Sequence, residues 1–440
     1  MNVQARINVS LQEALRETEE RYVAANPKSR ARQDEAAKSM PGGNTRSVLY
    51  YSPFPVAIAR AQAQTLTDID GHSYVDFLGE YTAGLYGHSH PVIMDAIARA
   101  SQDGIVFGGP NREEAELARL MCARFPSLDL VRFTNSGTES NLMALVTARA
   151  HTGRSHVMVM EGGYHGGVLT FYYGPDFPIN APFPFIMAHI NDVEGTRAII
   201  RGNADKLAAI LIEPMMGSGG GIPATMAYLQ MLRDEATRHG IVLIFDEVMT
   251  SRMSSGGLQK KLGITPDLTT FGKYLGGGMT FGAFGGKHDL MRRYDPAQPD
   301  AWPHAGTFNN NVLTMAAGVA GLTKVFTPEA ADKLYDDGER LRGRLNEIGR
   351  KHGVPLQATG VGSIVVVHWQ STPVKQPHDT QKTPIEARAL FHLNMLQRGY
   401  YVARRGFMAL SLVLTDANHD GFVAAVDDFC GAYRNVLKDL

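Results

Sequence analysis

Cysteine is nearly absent from this chain. Only Cys122 and Cys430 occur in 440 residues, far apart, so neither a disulfide framework nor a Cys-x-x-Cys metal site is present. Two free thiols fit a reducing compartment, where cysteine behaves as a small hydrophobe. An excess of charge is also missing: 43 Lys and Arg stand against 44 Asp and Glu, a net charge of -1. That balance offers no footprint for nucleic acid or an anionic membrane. No apolar run approaches the ~20 residues of a membrane span. The first residues, "MNVQARINVSLQEALRETEERYVAANP", lack the apolar stretch of a secretory signal. These absences together predict a cytoplasmic, globular protein.

What is present is an ordinary core-forming composition, 44% hydrophobic and 20% charged, in a chain long enough for two or three domains. Ser10 and Glu13 have capping-box spacing. They open a helix with Leu11, Leu15 and Tyr22 on one face, which Pro27 is expected to end. Asp70-Gly71 marks a hairpin. From about residue 75, short β-rich runs ("LVRFTN", "HVMVME", "LAAILIEP", "IVLIFDEV", "DLTTFG") alternate with helical stretches that stop at Gly153 and Gly240. Near-continuous apolar strands separated by helices indicate an α/β fold with a mostly parallel, doubly covered sheet. After Thr327 a long charged helix leads to "SIVVVHW", a helix, the strand "YYVARR" and a closing helix, a second and smaller α/β layer. The expected division is an N-terminal segment 1–74, a large domain 75–326 and a C-terminal domain 327–440.

Four stretches carry chemistry. In "TNSGTESN" a strand ends and a helix begins, and helix N-termini attract phosphate. Ser136 and Thr138 add hydroxyls, and Gly137 allows close approach. Taken alone, this is also an ordinary helix cap. In "EGGYHGG", Tyr164 sits at a strand's C-terminal end, where open α/β sheets bind ligands, and could stack on a flat ring; alone it reads as a core aromatic. His165 reads as a hydrogen-bonded residue. His88 and His90 suggest a metal, but no third ligand stands at suitable spacing, so none is expected. In "IVLIFDEVMTSR", Asp246 ends an apolar strand. A buried carboxylate there demands a partner, commonly a structural salt bridge. Finally Lys273, in "DLTTFGKYLGGGMTFGAFGG", follows another strand and precedes a glycine tract that lets backbone pack close to a bulky group. A phosphate, a flat ring, a ring nitrogen that gains from a carboxylate and a carbonyl that a lysine captures together describe pyridoxal 5'-phosphate (PLP).

"FTNSGTES", "EGGYHGG", "LIEPMMG", "IFDEVMTSR", "LTTFGKYLGGGMTFGAFGG" and "HAGTFNNN" are similar in order and spacing, over nearly the whole chain, to class III aminotransferases of PLP fold type I. The nearest branches are the β-amino-acid (β-phenylalanine) transaminases and the glutamate-1-semialdehyde 2,1-aminomutases. The resemblance implies a seven-stranded sheet in the large domain and a small domain formed by both termini. It implies that Lys273 forms the Schiff base and moves protons, that Asp246 keeps the pyridine nitrogen protonated, and that Tyr164 and Val248 pack the two ring faces. Ser136, Gly137 and Thr138 would hold the phosphate, with Thr307 of "HAGTF" donated from a neighbouring subunit, so the expected assembly is a homodimer with shared sites. Arg46 in "PGGNTRSVLYYSPFP" and Arg405 in "YYVARRGFMALS" match the two carboxylate clamps of the β-amino-acid transaminases; both also fit ordinary surface salt bridging. The aminomutases lack an arginine at position 405 and usually show histidine where Gly167 stands. The expected reaction moves an amino group from a β-amino acid, aromatic by resemblance, to 2-oxoglutarate or pyruvate. Semialdehyde isomerisation is the enzymatic alternative, and a PLP-binding regulatory or scaffold domain the non-enzymatic one. Tyr50, Tyr51, Phe54, Tyr81 and Tyr86 are candidates for an apolar pocket.

Overall fold

A computed structural model describes residues 10–440. The capping box forms: Ser10 Oγ accepts from Glu13 N and Glu13 returns a bond to Ser10 N, starting helix Leu11–Ala25. That helix ends just ahead of Pro27, as expected, with Asn26 as its C-cap, but Pro27 also opens further helix. It occupies the first turn of a second helix, Pro27–Ala36, where a missing N–H costs nothing.

The strands β1 (Ile58–Gln62), β2 (Thr65–Asp68) and β3 (Ser73–Asp76) form an antiparallel ribbon, with β2 and β3 joined across the Asp70-Gly71 turn. The main sheet takes up β4 (Leu130–Thr134), β5 (His156–Met160), β6 (Phe185–Ala188) and β7 (Leu207–Ile212). A small hairpin of β8 (Met215–Met216) and β9 (Ile222–Pro223) follows, and β10 (Val242–Asp246), β11 (Leu268–Gly272) and β12 (Gly282–Gly286) complete the sheet. Its order is β4-β12-β11-β10-β7-β5-β6, seven strands, with β12 antiparallel to both neighbours. The glycine tract after Lys273 therefore includes a strand that sequence reading passed over. Its glycines serve strand-to-strand approach: a Cβ on Gly282 would lie 2.2 Å from Ser136 O, and one on Gly286 2.1 Å from Asp267 O.

Strand side chains alternate between two cores. Met158, Met160, Ile210, Ile212, Leu243 and Phe245 pack with Tyr228, Leu229 and Leu232 of helix Met226–His239. Val157, Val159, Ala209, Leu211, Val242 and Ile244 pack with Ala144, Leu145 and Ala148 of helix Gly137–Thr152. Each such buried aliphatic side chain contributes about 1.5–3 kcal/mol. Gly153 and Gly240 end the two helices in left-handed conformation, φ 68 and 61, as the sequence indicated.

Beyond helix Pro328–His352 lie β13 (Leu356–Val361), β14 (Ile364–Trp369), β15 (Tyr400–Tyr401) and β16 (Phe407–Ala409). β13, β14 and β16 form an antiparallel sheet, whereas β15 pairs in parallel with β3. That pairing seats the C-terminal "YYVARRGFMA" beside Phe77–Gly79: Phe77 N donates to Tyr401 O at 2.9 Å and Ala409 N to Phe77 O at 2.9 Å. Segments from the two ends of the chain thus meet at one edge of the large domain.

Candidate active site

The C-terminal ends of β4, β5, β7, β10 and β11 gather the chemistry-bearing residues. Asp246 is buried and, among the described residues, has no arginine or lysine within ion-pair distance. Its partners are an amide, an imidazole and a backbone N–H. Oδ2 accepts from Asn141 Nδ2 at 2.8 Å and faces His165 Nδ1 at 2.8 Å, while Oδ1 accepts from Val248 N at 3.0 Å. A carboxylate only accepts, so His165 donates from Nδ1. Its buried Nε2 has no protein partner. Asn141 is locked in turn, donating to His165 O at 3.0 Å and accepting from Thr270 Oγ at 2.7 Å. Among the described residues, neither a lysine nor an arginine answers this carboxylate.

Glu213, which sequence reading did not single out, repeats the pattern at the end of β7. Oε1 accepts from Tyr164 N at 3.1 Å and Oε2 from Gly217 N at 2.9 Å. Burial pushes its carboxyl up to about 7. The signal was present in "LIEPMMG", again a carboxylate after an unbroken apolar strand. Tyr164 itself remains 46% exposed, so its ring is not a core aromatic.

Ser136 caps helix Gly137–Thr152, accepting from Glu139 N at 3.2 Å. The first helical bond runs from Ser140 N to Ser136 O at 3.0 Å, which leaves the amides of Gly137 and Thr138 ahead of the ladder. Gly167 N donates to Thr138 Oγ at 3.3 Å. Val248 lies against the same turn: a Cβ on Gly137 would be 2.9 Å from its Cγ2. Thr307 is exposed on a loop that Asn309 ties to Asn135 at 2.9 Å.

Lys273 has φ 58 and donates from Nζ to Tyr81 O at 2.8 Å. Burial first, and Arg46 second, lower its ammonium to about 8. Arg46 pairs with Glu80, and its Cζ lies 5.7 Å from the Tyr81 ring centroid. Arg405 Cζ lies 5.3 Å from that centroid and 5.3 Å from that of Phe407. Among the described residues its one side-chain hydrogen bond, to Ser218 Oγ, is 3.5 Å long, its Nε has no partner, and no carboxylate pairs with it. Arg46 therefore forms a surface salt bridge of the kind sequence alone allowed, with Glu80, whereas Arg405 has no carboxylate partner among the described residues.

Of the pocket aromatics expected from sequence, only Tyr81 stands at Lys273. Tyr51 and Phe54 pack with Tyr22 in a separate N-terminal cluster, Tyr86 packs edge-on to Tyr274, and Tyr50 is exposed. His88 pairs with Asp76 at 2.9 Å, and His90 caps helix Pro91–Asp103.

A buried carboxylate awaiting a cation, a helix N-terminus with free amides and a lysine with a lowered pKa are the groups that PLP requires. The residues present therefore fit it. Residues 49–174 and 175–427 match the family model described as aminotransferase class III, and the chain belongs to that family of PLP-dependent transaminases. It is 49% identical to a β-phenylalanine transaminase of Variovorax paradoxus over 98% of this chain and 99% of that protein. A crystal structure of a β-phenylalanine aminotransferase from that organism superposes with a TM-score of 0.95, at 49% identity, over 97% of this chain and 99% of the other. A transaminase solved with PLP bound gives a TM-score of 0.86 at 30% identity, over 93% and 98% of the two chains. Among the described residues, no helix is long and apolar enough to cross a membrane.

Proposed function

We propose that this enzyme transfers the amino group of a β-amino acid with an apolar, aromatic substituent to a 2-oxo acid such as pyruvate or 2-oxoglutarate. The observation that carries the reading is the pair of guanidiniums, Arg46 and Arg405, gathered over the Tyr81 ring whose carbonyl receives Lys273. Donor and acceptor both bear carboxylates, and a planar guanidinium is the best fork for one. The 49% identity to a β-phenylalanine transaminase supports the choice of donor.

PLP, when bound, supplies the electron sink. Lys273 would hold PLP covalently through its amine and would carry a proton at the amine-bearing carbon of the donor; an amine near pKa 8 suits both tasks. Asp246, held in place by Asn141 and His165, would keep the ring nitrogen protonated. Ser136, Gly137 and Thr138 would hold the phosphate. Tyr164 and Val248 would pack the two ring faces. Arg46 holds the donor's carboxylate, and the loosely tethered Arg405 serves the acceptor's second one. Thr307, exposed on its loop, completes the phosphate site of a neighbouring subunit in a homodimer, where Ile105, Phe107 and Phe308 are also exposed. The two unpaired thiols suit the cytoplasm.

The test follows the holoenzyme's visible absorbance while β-amino acids, α-amino acids and ω-amines are added in turn, with pyruvate and 2-oxoglutarate as acceptors. Bleaching and turnover with aromatic β-amino acids are expected. Conversion of glutamate-1-semialdehyde without any acceptor, and no response to β-amino acids, would overturn the reading.

A further inference from the structure

The segment beside Lys273 has an unusual backbone. Gly79, Glu80, Tyr81 and Thr82 all have positive φ, at 53, 47, 52 and 84. Three of them carry side chains, and L-residues in the left-handed region cost about 1–2 kcal/mol each. Such strain persists only where surroundings over-determine it. Here they do. Asp76 Oδ1 accepts from Leu78 N at 2.9 Å and Gly79 N at 3.0 Å. A Cβ on Gly79 would lie 2.2 Å from Ala409 O, so position 79 admits only glycine. Thr82 O receives a long bond from the buried Arg252 at 3.5 Å.

The turn delivers two consecutive residues to the site in opposite senses. Tyr81 turns its carbonyl to Lys273 Nζ, and Glu80 turns its carboxylate to Arg46. Over the Tyr81 ring, two guanidiniums and one carboxylate leave a single net positive charge. Both partners of the Arg46–Glu80 pair are about half exposed, 47% and 48%, so the pair is weak and competes with incoming anions on nearly equal terms.

We propose that Glu80 is a specificity-determining residue that sets the site's charge for one substrate carboxylate and discriminates against a second. The inference rests on the transaminase reading for its substrate classes. A monocarboxylate neutralises the cluster with Glu80 in place. A dicarboxylate engages both arginines only by displacing Glu80, which is then left without its cation. The discrimination is graded, because an exposed ion pair is worth only a severalfold factor.

The experiment uses holoenzyme of the wild type, Glu80→Gln, Arg46→Ala and the double variant. Glu80→Asn serves as a second neutral form, since asparagine tolerates left-handed backbone. Binding of two unreactive probes, glutarate and butyrate, is read by thermal shift and by displacement in the cofactor's absorbance. Glu80→Gln and Glu80→Asn should tighten glutarate roughly fivefold relative to butyrate, and the gain should vanish when Arg46→Ala is added. The kcat/KM ratio of 2-oxoglutarate to pyruvate should rise by a similar factor. Equal shifts for both probes, or a gain that survives Arg46→Ala, overturn the proposal. If the enzyme transfers no amino group, the reading under Proposed function fails while the probe-binding arm still decides the role of Glu80.

Discussion

The two ends of the site are built in opposite ways. At the Asp246 end, every contact is short and buried, and each residue is held by a further one: Asp246 by Asn141, His165 and Val248 N, and Asn141 by Thr270. At the Tyr81 end, the groups are cations over a ring, a half-exposed ion pair and one 3.5 Å bond. By the proposed reading, the first end holds a ring nitrogen that stays in place through turnover, so rigidity there carries no cost. The second must receive different molecules in alternation. An arginine held only by stacking and one weak bond reorients cheaply, whereas one held by a bidentate carboxylate would not.

The contrast can be broken most directly at Lys273, where the two ends meet. Lys273→Ala should fold and show no measurable transamination. Borohydride reduction of the wild type should leave the pyridoxyl mass on the peptide that contains Lys273; a label on another lysine removes the site from this edge. Next in size is Asp246→Asn. It preserves shape but withdraws the charge from a dry site, so kcat should fall about 10²- to 10³-fold, as for other losses of preorganised electrostatic stabilisation. Near-normal turnover would place Asp246 among structural residues.

The loosely held end should respond selectively. Arg405→Ala removes one charge-assisted contact, worth about 1.5–3 kcal/mol or roughly 10- to 150-fold. That loss should appear in kcat/KM for 2-oxoglutarate and far less for pyruvate, which has no distal carboxylate. Equal losses would mean that Arg405 is as fixed as Asp246. The last effect concerns Glu213 and appears in stability, leaving turnover aside. Its carboxyl is raised from 4.5 to about 7 in the folded chain, so between those pH values the folded state binds a proton that the unfolded state releases. Stability contributed by this group is full below about pH 4.5 and declines as pH rises to about 7, by on the order of 2–3 kcal/mol. Urea midpoints of cofactor-free protein at pH 5 and 7.5 should show that slope, and Glu213→Gln should flatten it. An unchanged slope would assign the pH dependence to another group.

Strand ends and helix caps were legible in the chain. β5, β7, β10 and β11 are short apolar runs punctuated by a helix signal, and Ser136, Gly153 and Gly240 mark helix ends through chemistry local to a few residues. Asp246 and Lys273 stood out for the same reason, since a charge at the end of a buried strand is costly unless something answers it. β12 was missed because "GAFGG" has poor β-propensity; its glycines are required by the neighbours they touch. Tyr51 and Phe54 were grouped with Arg46 by nearness in sequence, yet the chain carries them into a different core.

What the sequence by itself determined is thus the local grammar: an α/β sheet, the strand-end charges, the phosphate-type helix start and the family motifs. Only the tertiary structure decided what gathers around Tyr81. Pairing of β15 with β3 brings Arg405 to residues more than 300 positions earlier in the chain, and Ala409 forces Gly79 into the turn that aims Glu80 at Arg46 and Tyr81 at Lys273. Hydrophobic periodicity specifies which face of an element is buried. It carries no information about which distant side chain arrives beside it, and the charge balance around Tyr81 is made of such arrivals.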